Sequence, residues 1–80
     1  MTYELFSRVA LRIDIPEKHL KRGDIASIVE HHSGGQGKED GYSLEVFNAV
    51  GDTIAVVVVP SSAIEPLHRK EVLHVRQLEV

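Results

Sequence analysis

The chain has 80 residues, with 42% hydrophobic, 26% charged, twelve acids against nine bases and no cysteine. That length builds one domain with a thin stability margin, burying only roughly 60 to 65% of the surface of its unfolded chain. The composition excludes a disordered chain, disulfide staples and thiolate zinc sites, and the net charge of −3 disfavours generic polyanion binding.

From Tyr3 to Ile15 the chain alternates, with Leu5, Val9, Leu11, Ile13 and Ile15 on one parity and Arg8, Arg12 and Asp14 on the other. The pattern predicts a strand over Val9 to Ile15. Pro16 ends it, Glu17 to Leu20 suit a single turn, and Leu20 is expected to point inward. Gly23 and Asp24 mark a reversal, after which Ile25 to Glu30 reads as the next strand. The segment from Ser33 to Gly41 is polar and glycine-rich, which predicts a flexible loop.

Two apolar, β-branched runs between Gly41 and Pro60 flank Asn48 to Asp52 and predict a β-hairpin. Its second arm, Thr53 to Val59, is apolar on both parities and is expected to be central and covered on both faces. The same run on a surface would need another chain to cover it, and so short a chain has limited interior. Ala63 to Leu67 predicts a short helical or 3₁₀ turn, and Val72 to Val80 a fifth strand. The expected fold class is therefore mainly β, a single domain over residues 1–80 with the outline of a small five-stranded SH3-like barrel. The N-terminus lacks the apolar run of a secretory signal, and no stretch is apolar enough to cross a membrane; with no cysteine, a cytoplasmic location is expected.

Particular residues resemble a family of small bacterial proteins of unknown function. They are Val9-Ala10-Leu11, Asp14-Ile15-Pro16-Glu17, Leu20 to Asp24, Ile28-Val29-Glu30, Leu44-Glu45-Val46-Phe47, and Gly51 with Thr53, Ile54 and Ala55. The likeness covers about Leu5 to Leu67. It implies an SH3-like barrel, no enzyme, and a gene that often neighbours another small protein in toxin–antitoxin-like arrangements. Two departures stand out. Ala26-Ser27 replaces the family's Gly-Thr, and the loop from His31 to Gly41 is longer than usual, which points to a partner particular to this protein.

No catalytic, metal or nucleotide-binding motif emerges, and no cofactor is expected. His31 and His32 lead into a loop with Glu39 and Asp40, but adjacent residues on a strand face opposite ways, so the pair is a poor metal site. Lys18, Lys21 and Arg22 form a basic cluster around His19. Nucleic-acid binding by that turn is the alternative function, weakened by the acidic balance and by having only Tyr3, Phe6, Tyr42 and Phe47 as aromatics. Ser61 and Ser62 after Pro60 read as turn chemistry rather than as nucleophiles.

The leading expectation is a non-enzymatic protein-interaction module, an antitoxin-like or accessory member of a two-protein pair. Its candidate partner-binding residues are His31, His32, Glu39, Asp40, Lys18, Lys21 and Arg22. The expected partner is a protein encoded by the adjacent gene, with contact between copies of the chain as a further option.

Overall fold

The computed structural model describes residues 3–78. Five strands, β1 (Arg8–Leu11), β2 (Ile25–His32), β3 (Gly41–Phe47), β4 (Thr53–Pro60) and β5 (Ile64–Pro66), form one antiparallel sheet in the order β4-β3-β2-β1-β5. Two 3₁₀ turns, Pro16–Lys18 and Ser61–Ala63, are the only helical elements among the described residues. A 3₁₀ turn before the last strand agrees with the sequence reading, but it lies at Ser61–Ala63, and most of the predicted turn Ala63 to Leu67 is β5 itself. The meander β2-β3-β4 with β5 returning to β1 defines a small SH3-like barrel fold.

The core lies on one face of this curled sheet. Val9 and Leu11 of β1, Ala26 and Ile28 of β2, Tyr42, Leu44 and Val46 of β3, Val57 and Val59 of β4, and Ile64 of β5 are all buried. The strand period of two is plainest in β4, where buried Val57 and Val59 alternate with exposed Val56 and Val58, whereas Ala10 and Ser43 are buried between core neighbours. Leu20 is buried as expected, carried inward by the 3₁₀ turn and held by reciprocal backbone hydrogen bonds with Ile15 at 2.9 and 3.1 Å. Between β3 and β4, Asn48 closes the hairpin turn: its side-chain oxygen accepts from the Val50 and Asp52 amides, while Gly51 takes φ 95°. That conformation suits glycine.

Three details differ from the sequence reading. β1 stops at Leu11 rather than Ile15, because the Leu11 carbonyl turns to the Gly23 amide and the Arg12 amide to Ala63. The fifth strand is Ile64–Pro66 and not Val72 to Val80; within the described part of that predicted strand, residues 72–78 have no regular structure, and Glu79 and Val80 lie outside the described residues. The place beside β1 is already taken by β5, whose register pairs Val9 with Pro66 and Leu11 with Ile64. Pro66 is tolerated there because β5 is a sheet edge.

The third difference matters most. β4 is the other edge of the sheet, not a central strand, and its outer face is largely open: Ile54, beside the C-terminal segment, is 37% exposed, and Val56 and Val58, beyond it, are 55 and 69% exposed. Hydrophobicity on both parities reads as two-sided burial, yet among the described residues the segment that crosses this face reaches Ile54 and leaves Val56 and Val58 open.

Candidate interaction site

β2 runs from the basic turn to the long loop, so the sequence candidates divide between its two ends. Eight strand residues span roughly 25 Å. His31, His32, Glu39 and Asp40 gather at one corner, while Lys18, Lys21 and Arg22 lie at the opposite end.

At the corner, a bulge between Ile28 and Glu30 shifts the β2–β3 register so that His31 stands opposite Tyr42 and His32 opposite Gly41. The His31 ring stacks on Tyr42 with centroids 5.1 Å apart, and its Nε2 lies 2.7 Å from Asp40 Oδ2. The Gly34 amide donates to Asp40 Oδ1 at 3.1 Å. These two bonds, His31 first and Gly34 second, hold the Asp40 carboxyl below its ordinary pKa. Tyr42 is fully buried and its hydroxyl accepts the Tyr3 amide at 3.1 Å, while the Tyr3 ring meets it edge-on at 5.4 Å.

Glu39 stitches the loop to the turn after β4. One carboxylate oxygen accepts from the Ser62 amide at 2.8 Å and the Ser61 hydroxyl at 3.0 Å; the other accepts from the Ser62 hydroxyl at 3.1 Å. The Ser62 amide, then the two hydroxyls, lower the Glu39 pKa. A further bond from the Ser61 amide to the Asp40 carbonyl, 2.8 Å, completes the stitch. The glycine-rich loop is thus pinned at its Glu39–Asp40 end. Gly34 is obligatory there, since a Cβ would fall 2.1 Å from the Glu39 carbonyl oxygen.

His32 faces the other way from His31 and approaches Ser43 Oγ at 2.7 Å and Glu30 Oε1 at 3.7 Å. Serine, histidine and acid together suggest a nucleophile triad, but both oxygens approach the same Nε2. A triad needs the acid on the other ring nitrogen, to orient the base toward the serine. Ser43 also sits within β3, whose backbone is paired on both sides. Among the described residues, no group of three or more His, Asp or Glu side chains is placed to hold a metal ion.

The basic turn is built on carboxylates. The Lys21 amide donates to Asp24 Oδ2 at 2.8 Å and the Arg22 amide to Asp14 Oδ1 at 2.9 Å. Asp24 also accepts Arg76 Nε at 2.8 Å, and Arg76 reaches the His19 carbonyl at 3.1 Å. Burial pushes the Asp24 pKa up, but the Arg76 hydrogen bond, the Lys21 amide and the neighbouring cations outweigh it and the net shift is downward. Arg76 latches the C-terminal segment, which crosses the outer face of the sheet and encloses a cleft of about 570 Å³ lined by Ile25, Phe47, Ile54, Val72 and Val75 among others.

Sequence reasoning gives no sign of the Glu39–Ser61–Ser62 stitch or of the Arg76–Asp24 latch, and offers the bare edge of β4 only as the second reading of its valine run. The first two join residues 22 or more positions apart, with no periodicity to connect them. The third was legible as a surface option in the neutral run Ile54 to Val59.

The fold and this site define a small SH3-like β-domain whose distinctive surfaces are a carboxylate-stitched corner and an open apolar edge. The chain belongs to the family described as a domain of unknown function (DUF4926), whose model matches residues 5–66. No curated protein and no solved structure matches the chain. The matched region ends at Pro66, the last residue of β5, so the segment from Leu67 onward follows the family domain. No helix among the described residues is long and apolar enough to cross a membrane.

Proposed function

We propose that this protein is a non-enzymatic interaction module that binds another polypeptide by strand addition along β4, with the stitched corner at His31, His32, Glu39 and Asp40 fixing the end of that strand. The single observation behind this reading is the eight-residue edge Thr53–Pro60, which carries no charged residue and exposes Ile54, Val56 and Val58. An edge strand offers unpaired backbone groups, and proteins ordinarily blunt such edges with lysine, internal proline or a covering loop. Main-chain bonds supply affinity in this mode, and alternate side chains supply specificity.

The non-enzymatic part draws support from the polar side chains, whose hydrogen bonds tie parts of the fold together. Ser61 and Ser62 serve Glu39, His31 serves Asp40, and His32 and Ser43 meet without an orienting acid. The resemblance to small bacterial proteins encoded beside a second small protein supports a cytoplasmic, accessory or antitoxin-like role, with the adjacent gene product as partner. Nucleic-acid binding gains nothing at Lys18, Lys21 and Arg22, because Asp14 and Asp24 lie among them.

Affinity capture with purified adjacent gene product tests the proposal. Binding to the native chain that is lost in a Val56→Lys, Val58→Lys double variant supports strand addition. Absence of binding, or equal binding by both, refutes it.

A further inference from the structure

We infer that, when the adjacent gene product is not bound, the open edge of β4 is closed by the β4 of a second copy of this chain, in a two-fold antiparallel pair centred on Val56 that the partner strand would displace; the inference rests on the strand-addition reading. Isologous pairing requires a strand that complements its own reverse. Outer-face positions 54, 56 and 58 are Ile, Val and Val, β-branched whichever way the strand is read. Centred on Val56, the pair sets Ile54 against Val58 of the second copy and Val56 against its counterpart, joining six exposed aliphatic side chains into one cluster. On the core face the same register sets Ala55 against Val57.

Neighbouring registers are worse. A two-fold axis perpendicular to the sheet keeps outer-face residues opposite outer-face residues, so only shifts of two positions are allowed. One such shift places Val58 against Asp52, and the other draws Pro60 into the ladder opposite Ile54, where it has no amide to donate. The strand is also delimited, by Pro60 at one end and by the irregularity opposite Val46 and Phe47 at the other.

Charge favours the same strip. The chain carries −3 overall, and a strip without charge adds no like-charge contact when two copies meet; residues 53–60 contain none. The nearest acid across the ladder, Glu45 opposite Val56, is occupied by the Thr53 hydroxyl at 2.6 Å and lies one strand away from the contact.

Sedimentation equilibrium of the purified full chain should show the mass rising with concentration from 8.9 kDa toward twice that value. The Val56→Lys, Val58→Lys variant should remain at the lower mass with an unchanged circular dichroism spectrum. Because the chain has no cysteine, Val56→Cys provides an independent readout that survives any folding defect of the lysine variant. Oxidation should cross-link it efficiently through the two-fold position, whereas Val72→Cys, at a site 87% exposed on the C-terminal segment, should stay monomeric. A native chain at 8.9 kDa at every concentration, a dimer that persists with both lysines, or cross-linking no faster in Val56→Cys than in Val72→Cys overturns the inference. A monomer that still captures the adjacent gene product through β4 refutes self-pairing alone and leaves the strand-addition reading standing.

Discussion

Tyr42 is where the core meets the candidate corner, and replacing it separates two contributions that the structure superimposes. Tyr42→Phe removes the hydroxyl that accepts the Tyr3 amide at 3.1 Å but keeps the ring against Tyr3 and His31. One neutral hydrogen bond at a partly buried donor contributes about 1 kcal/mol, which for a domain of this size lowers Tm by roughly 4–8 °C. Tyr42→Ala removes a fully buried ring as well, at a cost of about 3–5 kcal/mol. Against a total stability of about 4–12 kcal/mol for 80 residues, that loss leaves the alanine variant largely unfolded on warming. Urea titration followed by circular dichroism, with the slope checked for constancy, measures both. Equal losses in the two variants, or a loss near zero in Tyr42→Ala, would refute the reasoning that the ring anchors the corner and the hydroxyl only tethers the N-terminal segment.

Glu39 and Asp40 titrate below their ordinary values of 4.5 and 3.8 in the folded chain, so their contribution is complete above those values and disappears as pH falls through the lower native ones. Urea midpoints at pH 6 and pH 3 should therefore differ, and Glu39→Gln should shrink the difference; an unchanged difference argues against the stitch. Gly34→Ala forces a Cβ into the Glu39 carbonyl and should destabilise by about 1–3 kcal/mol, whereas Gly37→Ala meets no atom within 4 Å and carries only the penalty of a positive φ. Calorimetric melting of the two distinguishes the mechanisms, and equal Tm values would contradict the steric account. Arg76→Ala loosens the latch on Asp24 and should speed proteolysis after Leu67 while changing barrel stability by about 1 kcal/mol or less. Cleavage at the native rate would show that the latch does not hold the segment.

Much of the barrel was legible because strand alternation and turn chemistry are local. Asn48, Gly51 and Asp52 mark the hairpin by residue type alone, and Pro16 with buried Leu20 marks the 3₁₀ excursion. The fifth strand lies elsewhere than its composition suggests, for a physical reason. Val72 to Leu78 has strand-like composition, but β-propensity expresses fit against a neighbouring strand, and the only vacancy beside β1 goes to the short Ile64–Pro66 that follows the Ser61–Ala63 turn. The valine run of β4 reads as a covered strand until the sheet order places it at an edge.

The candidate corner was half visible. The candidates His31, His32, Glu39 and Asp40 converge on one region, where His31 and Asp40 pair with each other and the other partners are Ser61, Ser62, Gly34 and Ser43. Such side-chain bonds depend on how the β2–β3 loop packs beside the β4–β5 turn, which no local pattern encodes. The basic cluster at Lys18, Lys21 and Arg22 was visible as charge, but not as a turn organised by Asp14 and Asp24.

Amide hydrogen exchange over Thr53–Pro60, measured on the dilute chain with and without the adjacent gene product, tests the strand-addition account most directly. Alternate β4 amides point away from β3 and should exchange rapidly in the dilute chain alone, then slow at least tenfold when the partner is bound. An edge that exchanges as freely with the partner bound as without it would contradict the account.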